Sequence, residues 1–113
     1  MSAMKLVVPM LLLATGVASA QTPHPCATDA VAKAPLLLKL HVDDAELAKS
    51  AAIDQVVKVL PPVKALKGSG RFDVLEVRAH IYKAEYRMRF LYAQIKGSCL
   101  VMGQEIIEAS DPY

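Results

Sequence analysis

From Arg71 to Ile95 the chain alternates, residue by residue, between two chemically different sides. Asp73, Leu75, Val77, Ala79 and Ile81 take one side of the first run, and Val74, Glu76, Arg78, His80 and Tyr82 take the other. In the second run Tyr86, Met88, Phe90 and Tyr92 alternate with Glu85, Arg87, Arg89 and Leu91. A period of two sends successive side chains to opposite faces of a strand, so this stretch requires a sheet with one apolar face. A two-residue loop at Lys83-Ala84 would pair Ile81 with Tyr86, Ala79 with Met88, Val77 with Phe90, and Leu75 with Tyr92. Four apolar pairs then share a face, and a slip of one residue would turn all of them outward. Lys96-Gly97, or Lys96-Gly97-Ser98, reads as the next turn, because glycine accepts the positive φ of tight hairpins, and the pairing that follows takes the two-residue loop. A third strand from Cys99 to about Glu108 would set Val101 opposite Tyr92, Gly103 opposite Phe90 and Ile107 opposite Tyr86.

Upstream, Leu36, Leu38, Leu40 and Val42 alternate with Leu37, Lys39 and His41, which predicts a first strand. Asp43, with Glu46 three residues on, has the form of a capping box. Ile53, Val56, Val57 and Leu60 keep the spacing of one helical face, and Pro61-Pro62 would stop that helix. Val63 to Gly70 is then a connection ending in the flexible Gly68-Ser69-Gly70. The expected fold is α+β: one helix packed on an antiparallel sheet of about four strands, in the order β-α-β-β-β, with one disulfide.

Residues 1–20 have the three parts of a cleavable signal peptide. Lys5 opens it, an apolar run from Leu6 to Ala14 follows, and Ala18 and Ala20 supply small side chains before Gln21. The apolar run is too short to span a bilayer, which takes roughly 20 residues. Cleavage leaves 93 residues: an extended lead-in over 21–34 and a single small domain over 35–113. A core of that size gains from a staple. Cys26 and Cys99, the two cysteines of the chain, can provide one in an oxidising compartment. The expected location is therefore periplasmic or secreted, with no stable membrane anchor once the signal is removed.

With Lys5 gone, twelve Lys and Arg stand against eleven Asp and Glu. That balance offers no general attraction to nucleic acid. His24, His41 and His80 fall in different predicted elements without ligand spacing, so no metal or cofactor is expected. The serines occupy no nucleophile elbow, and the glycine-containing connection precedes a strand where a phosphate loop would precede a helix. No enzyme activity is expected. Gln55-Val56-Val57 resembles the glutamine-valine core of the cystatin inhibitors, but Lys58-Val59 follows where their wedge has a glycine. No family is assigned on that match.

The candidate site is the outer face of the C-terminal meander, carrying Glu76, Arg78, His80, Arg87 and Arg89. The register above sets Arg78 across from Arg89, a like-charge pair that wants an acid from within the chain or from a partner. Arginine favours planar recognition of carboxylate or phosphate. The same face turns apolar at one end through Val74, Leu91, Ala93, Leu100 and Met102, and either the N-terminal Leu36–Leu40 segment, which is favoured, or a second molecule is expected to cover it. The expected function is a non-catalytic protein-binding module, an inhibitor or accessory subunit of an envelope or secreted component, with another protein as partner and a homodimer possible. The alternative is a carrier of a small apolar ligand, with Met88, Phe90 and Tyr92 lining a pocket between helix and sheet.

Exported protein is expected to begin at Gln21 and to carry no free thiol. Intact-mass measurement with and without alkylation checks both, and a retained Met1 or two alkylated cysteines would contradict the reading.

Overall fold

The computed structural model describes residues 23–111, so the expected signal peptide lies outside the described residues. A long helix, α1 (Ala27–Val42), and a short one, α2 (Ala45–Lys49), precede five strands: β1 (Ala52–Ile53), β2 (Lys58–Lys64), β3 (Arg71–Ile81), β4 (Ala84–Ile95) and β5 (Ser98–Glu108). All neighbouring strands are antiparallel, in the order β1-β3-β4-β5, with β2 also paired to β3. The class is as expected: one main helix on an antiparallel sheet, α+β, with the Cys26–Cys99 disulfide formed.

The order of elements differs, because helix and first strand exchange places. Residues Leu36–Val42, expected as a strand, form the second half of α1, and Ala27–Ala34, expected as an extended lead-in, form its first half. The deciding pattern is Ala30, Ala34, Leu37 and Leu38, all buried, which continue from buried Cys26 at intervals of three and four. Two alanines on that stripe let the helix lie close to the sheet. Pro35 stands inside α1 and cannot bond the carbonyl of Val31, but its ring is on the exposed side. Asp43 ends the helix in the left-handed region, and its N–H bonds the carbonyl of Lys39 at 3.2 Å.

The expected long helix after Asp43 is only the five-residue α2. Its cap is Asp44, not Asp43: the Asp44 carboxylate accepts from the Leu47 N–H at 3.0 Å. Beyond Ala51 the chain is extended. Ile53 and Val57 pack toward the core while Val56 is 78% exposed, so the helical spacing there was coincidental and β-branched propensity prevails. Pro61-Pro62 lie within β2, where an edge strand tolerates missing N–H donors, and the pairing shifts register between Leu60 and Val63.

The β3–β4 turn is Tyr82-Lys83, with Tyr82 at φ 52°, one residue earlier than the expected Lys83-Ala84. Every rung is therefore displaced by two residues: Leu75 faces Phe90, Val77 faces Met88, and Ala79 faces Tyr86. An even displacement leaves each side chain on its expected face. It also replaces the expected Arg78–Arg89 rung with Glu76–Arg89 and adds His80–Glu85. Opposite charges directly across a pair stabilise it, so the Glu76–Arg89 rung favours the observed register.

Between β4 and β5 the turn is Lys96-Gly97 as expected, with φ 51° and 81°, the two positive values of a type I′ hairpin. Val101 faces Tyr92 as expected, but Met102 is then an extra residue in a bulge. Past it Gly103 faces Leu91 instead of Phe90, and Ile107 faces Arg87 instead of Tyr86. The bulge sends Ile107 to the outer face and lets Ile106 pack on the core.

α1 lies across the sheet face formed by Leu75, Val77, Ala79, Met88, Phe90 and Tyr92. Three ties fix it. The disulfide joins its N-terminus to β5 with Cα atoms 5.6 Å apart. His24 accepts from the Cys26 N–H through Nδ1 (3.0 Å) and so donates from Nε2 to Asp73 (2.8 Å). At the other end His41 donates from Nε2 to Glu108 (3.0 Å). Within the layer the Tyr92 hydroxyl donates to Asp29 at 2.7 Å, and Asp29 also takes Lys33 at 2.6 Å. The Lys33 bond, opposed in part by burial, holds the Asp29 carboxyl below its ordinary value.

The disulfide closes 73 residues of sequence separation, worth roughly 4 kcal/mol on chain-entropy grounds. Replacing both cysteines by alanine is expected to lower unfolding free energy by about that amount, read from urea melts. A loss below about 1 kcal/mol would mean that the bridge does not constrain the unfolded chain.

Candidate functional site

Glu76, Arg78, His80, Arg87 and Arg89 all stand on the sheet face opposite α1, as expected from the alternation. The rungs order them into rows across the strands. One row runs Lys58 on β2, Glu76 on β3, Arg89 on β4 and Glu105 on β5. Charge alternates at every step of that row. Glu76 is only 2% exposed, although no helix covers this face, because its neighbours' long side chains lie over it. Its two oxygens are both engaged: Arg78 Nε donates to Oε1 at 3.1 Å and Arg89 Nε to Oε2 at 2.9 Å. Arg89 also donates from Nη1 to Glu105 at 3.2 Å.

Burial by itself would raise the Glu76 pKa. The bonds from Arg89 and Arg78 together outweigh it and hold the carboxyl below its ordinary value, so the group is ionised at neutral pH. The same bond to Glu76 raises the Arg89 pKa further, against some opposition from burial.

The next row toward the β3–β4 turn sets Arg78 directly opposite Arg87, with Ile107 beyond on β5. This like-charge rung takes the place of the expected Arg78–Arg89 one. Glu85 lies between the two guanidinium groups but 3.7 Å from each, too far for a hydrogen bond. Arg87 Nε is buried and has no acceptor among the described residues. His80 completes the far end of the face, exposed and opposite Glu85 and Ala52.

In the other direction the face becomes apolar. Leu60, Val74, Leu91 and Gly103 form a row, and Ala93 and Leu100 pair beyond it. Leu36–Leu40, expected to cover this end, belongs to α1 on the opposite side of the sheet. Leu100 is accordingly 49% exposed and Met102 at the bulge 50%; Ile107, in the Arg78–Arg87 row, is 41% exposed. Where β1 gives way to β2, an open depression of about 550 Å³ is lined by Asp54, Val56, Lys58, Glu76 and Arg78. Gln55-Val56-Val57 forms part of this break, not a hairpin tip: Asp54 N–H bonds the carbonyl of Arg78 at 2.8 Å, and its carboxylate takes the Val56 N–H at 3.0 Å.

Met88, Phe90 and Tyr92, proposed as walls of an apolar ligand pocket, are instead fully packed members of the core under α1. Sequence reasoning missed Lys58 because its segment reads as helix. It missed Glu105 and Ile107 because a one-residue bulge has no reliable signature in a run of apolar residues. The chain matches no protein-family model, no curated protein and no solved structure.

Removing the Glu76 charge leaves two partly buried guanidinium groups without their shared acceptor. Glu76→Gln is expected to cost about 2 kcal/mol at pH 7, less than a fully buried pair because both arginines keep about a third of their surface. The folded pKa of Glu76 lies below its ordinary 4.5, so its stabilisation is present above that value and is lost as pH falls through the folded one. Urea midpoints of wild type and Glu76→Gln should therefore differ at pH 7 and converge as pH falls through the folded value, below the ordinary 4.5. Equal midpoints at pH 7 would remove Glu76 from the account of this face.

Proposed function

We propose that this chain is an exported, non-catalytic binding module that receives another protein on the outer face of its sheet. The observation that carries the reading is the contrast between the two faces. One is sealed by α1, whereas the other combines a fixed network around Glu76 with large side chains, Leu100, Met102 and Ile107, left open to solvent. Exposed apolar groups rimmed by ordered polar ones are the composition of a protein-docking surface. A network tied across three strands holds those groups in place before binding and so lowers the ordering cost of association.

Export agrees with the disulfide and with the small-residue cleavage pattern before Gln21. Among the described residues no helix is long and apolar enough to cross a membrane. Both cysteines are consumed in the bridge, and Glu76 and Glu105 of the outer face are hydrogen-bonded to arginines, which favours a recognition role over acid–base or thiol chemistry.

The test compares two pairs of substitutions in the mature protein, used as bait in an extract of the cell envelope and medium. Leu100→Asp with Ile107→Asp alters the outer face; Leu36→Asp with Leu40→Asp alters the solvent side of α1. Both should leave the far-ultraviolet circular dichroism unchanged. The first pair is expected to abolish partner capture and the second to preserve it. Capture that survives the first pair overturns the assignment of the outer face.

A further inference from the structure

We infer that the partner presents a carboxylate to the Arg78–Arg87 rung, on a segment that also lays an apolar side chain on the neighbouring part of the same face. The inference rests on the docking role proposed above and names the chemistry of what docks.

The rung sets two cations directly opposite each other: Asp54 adjoins Arg78 on its far side, but neither rung partner of Arg87, which are Arg78 and Ile107, is an acid. The adjoining row alternates perfectly, Lys58, Glu76, Arg89, Glu105, and its central carboxylate has both oxygens occupied. Glu76 has given its Oε1 to Arg78 and its Oε2 to Arg89, so it has no oxygen left for Arg87. Glu85 makes only long ion pairs, 3.7 Å to each of Arg78 and Arg87, and hydrogen-bonds neither. Ile107, the β5 rung partner of Arg87, supplies no acid, and Asp54 adjoins Arg78 on the side away from Arg87. Arg87 is thus left with a buried, unbonded Nε and a guanidinium fork facing another cation.

Two arginines directly opposite each other on a strand pair repel, and a buried donor without an acceptor is costly. A planar anion docked on the exposed ends of the two forks offsets the repulsion, and a carboxylate matches the guanidinium in-plane geometry. Ile107 lies beside Arg87 in the same row, and Leu91 lies four residues along β4, roughly 13 Å away. An extended segment with an acidic residue and an apolar one about four positions apart spans that distance. A bare anion gains nothing from Leu91, Leu100 and Ile107, which is why the surface fits a protein segment better than a free ion.

The probe is a displayed library of random dodecapeptides selected on immobilised, disulfide-bonded mature protein. Enriched peptides are expected to share Asp or Glu with an apolar residue three to five positions away. Their binding should fall at least tenfold on Arg87→Gln, less on Arg87→Lys, and should weaken as salt is raised. Peptides without an acidic residue, or acidic peptides indifferent to Arg87→Gln, overturn the inference. If such peptides are still lost on Leu100→Asp, the outer face remains the docking surface and only the carboxylate fails. If they ignore Leu100→Asp as well, both readings fail. Salt-sensitive self-association of the protein alone, abolished by Arg87→Gln, would instead assign the rung to a second copy, and selection of no peptide at all would also count against it.

Discussion

A single sixteen-residue helix has a whole antiparallel sheet to cover, and it can lie on only one side. Every other feature adapts to that constraint. The covered side takes the continuous apolar set from Leu75 to Tyr92, and the helix answers with alanines so that backbone and sheet approach closely. Its contact stripe is narrow, and Pro35 removes one of its hydrogen bonds, so packing does not by itself hold it in register. The disulfide, the His24–Asp73 bond and the His41–Glu108 bond do so at its two ends. Two of the three histidines are thereby structural clasps, each donating from Nε2 to a carboxylate of the sheet.

The uncovered side has to be stable in water without a second layer. A sheet face exposed to solvent is ordinarily polar and mobile, but here the polar groups are locked. Glu76 is nearly as inaccessible as the core, and it is kept ionised by two arginines from different strands. A buried ion pair is a weak source of net stability, because desolvation offsets most of the attraction. Its better-attested effect is specificity. A displacement of β3 against β4 by two residues would keep every apolar side chain on its own face, since side chains alternate with a period of two. The Glu76–Arg89 rung does not tolerate it.

That distinction explains what could be read from the sequence. The two strands, their faces and all five candidate residues followed from alternation alone, because period two is robust to even errors in register. The rung partners did not follow, because the turn sequence Tyr82-Lys83-Ala84 has no glycine or asparagine to mark its centre, whereas Lys96-Gly97 marked the next turn correctly. Helix and strand were exchanged upstream for a related reason. Leu36 to Leu40 contains four leucines, which satisfy either period, and the alanines that settle the matter lie earlier in a segment of low hydrophobic contrast. Ile53, Val56, Val57 and Leu60 gave the reverse error, a helical spacing in residues whose branching favours extended backbone. The vacancy at Arg87 was invisible for want of the register, since only the true rungs show which acid each arginine receives.

Strand addition at a sheet edge is the usual competitor to binding on a sheet face, and both edges of this sheet are poorly suited to it. The β1–β2 edge is broken at Asp54–Val57, shifts register after Leu60, and loses two N–H donors at Pro61-Pro62. The β5 edge is interrupted by the Met102 bulge, which twists the strand and breaks the row of outward backbone groups. Such devices ordinarily keep edges from pairing with other chains. With its edges so defended, the sheet leaves Leu100 and Ile107 exposed on its outer face, where contact would be made by side chains and not by backbone pairing.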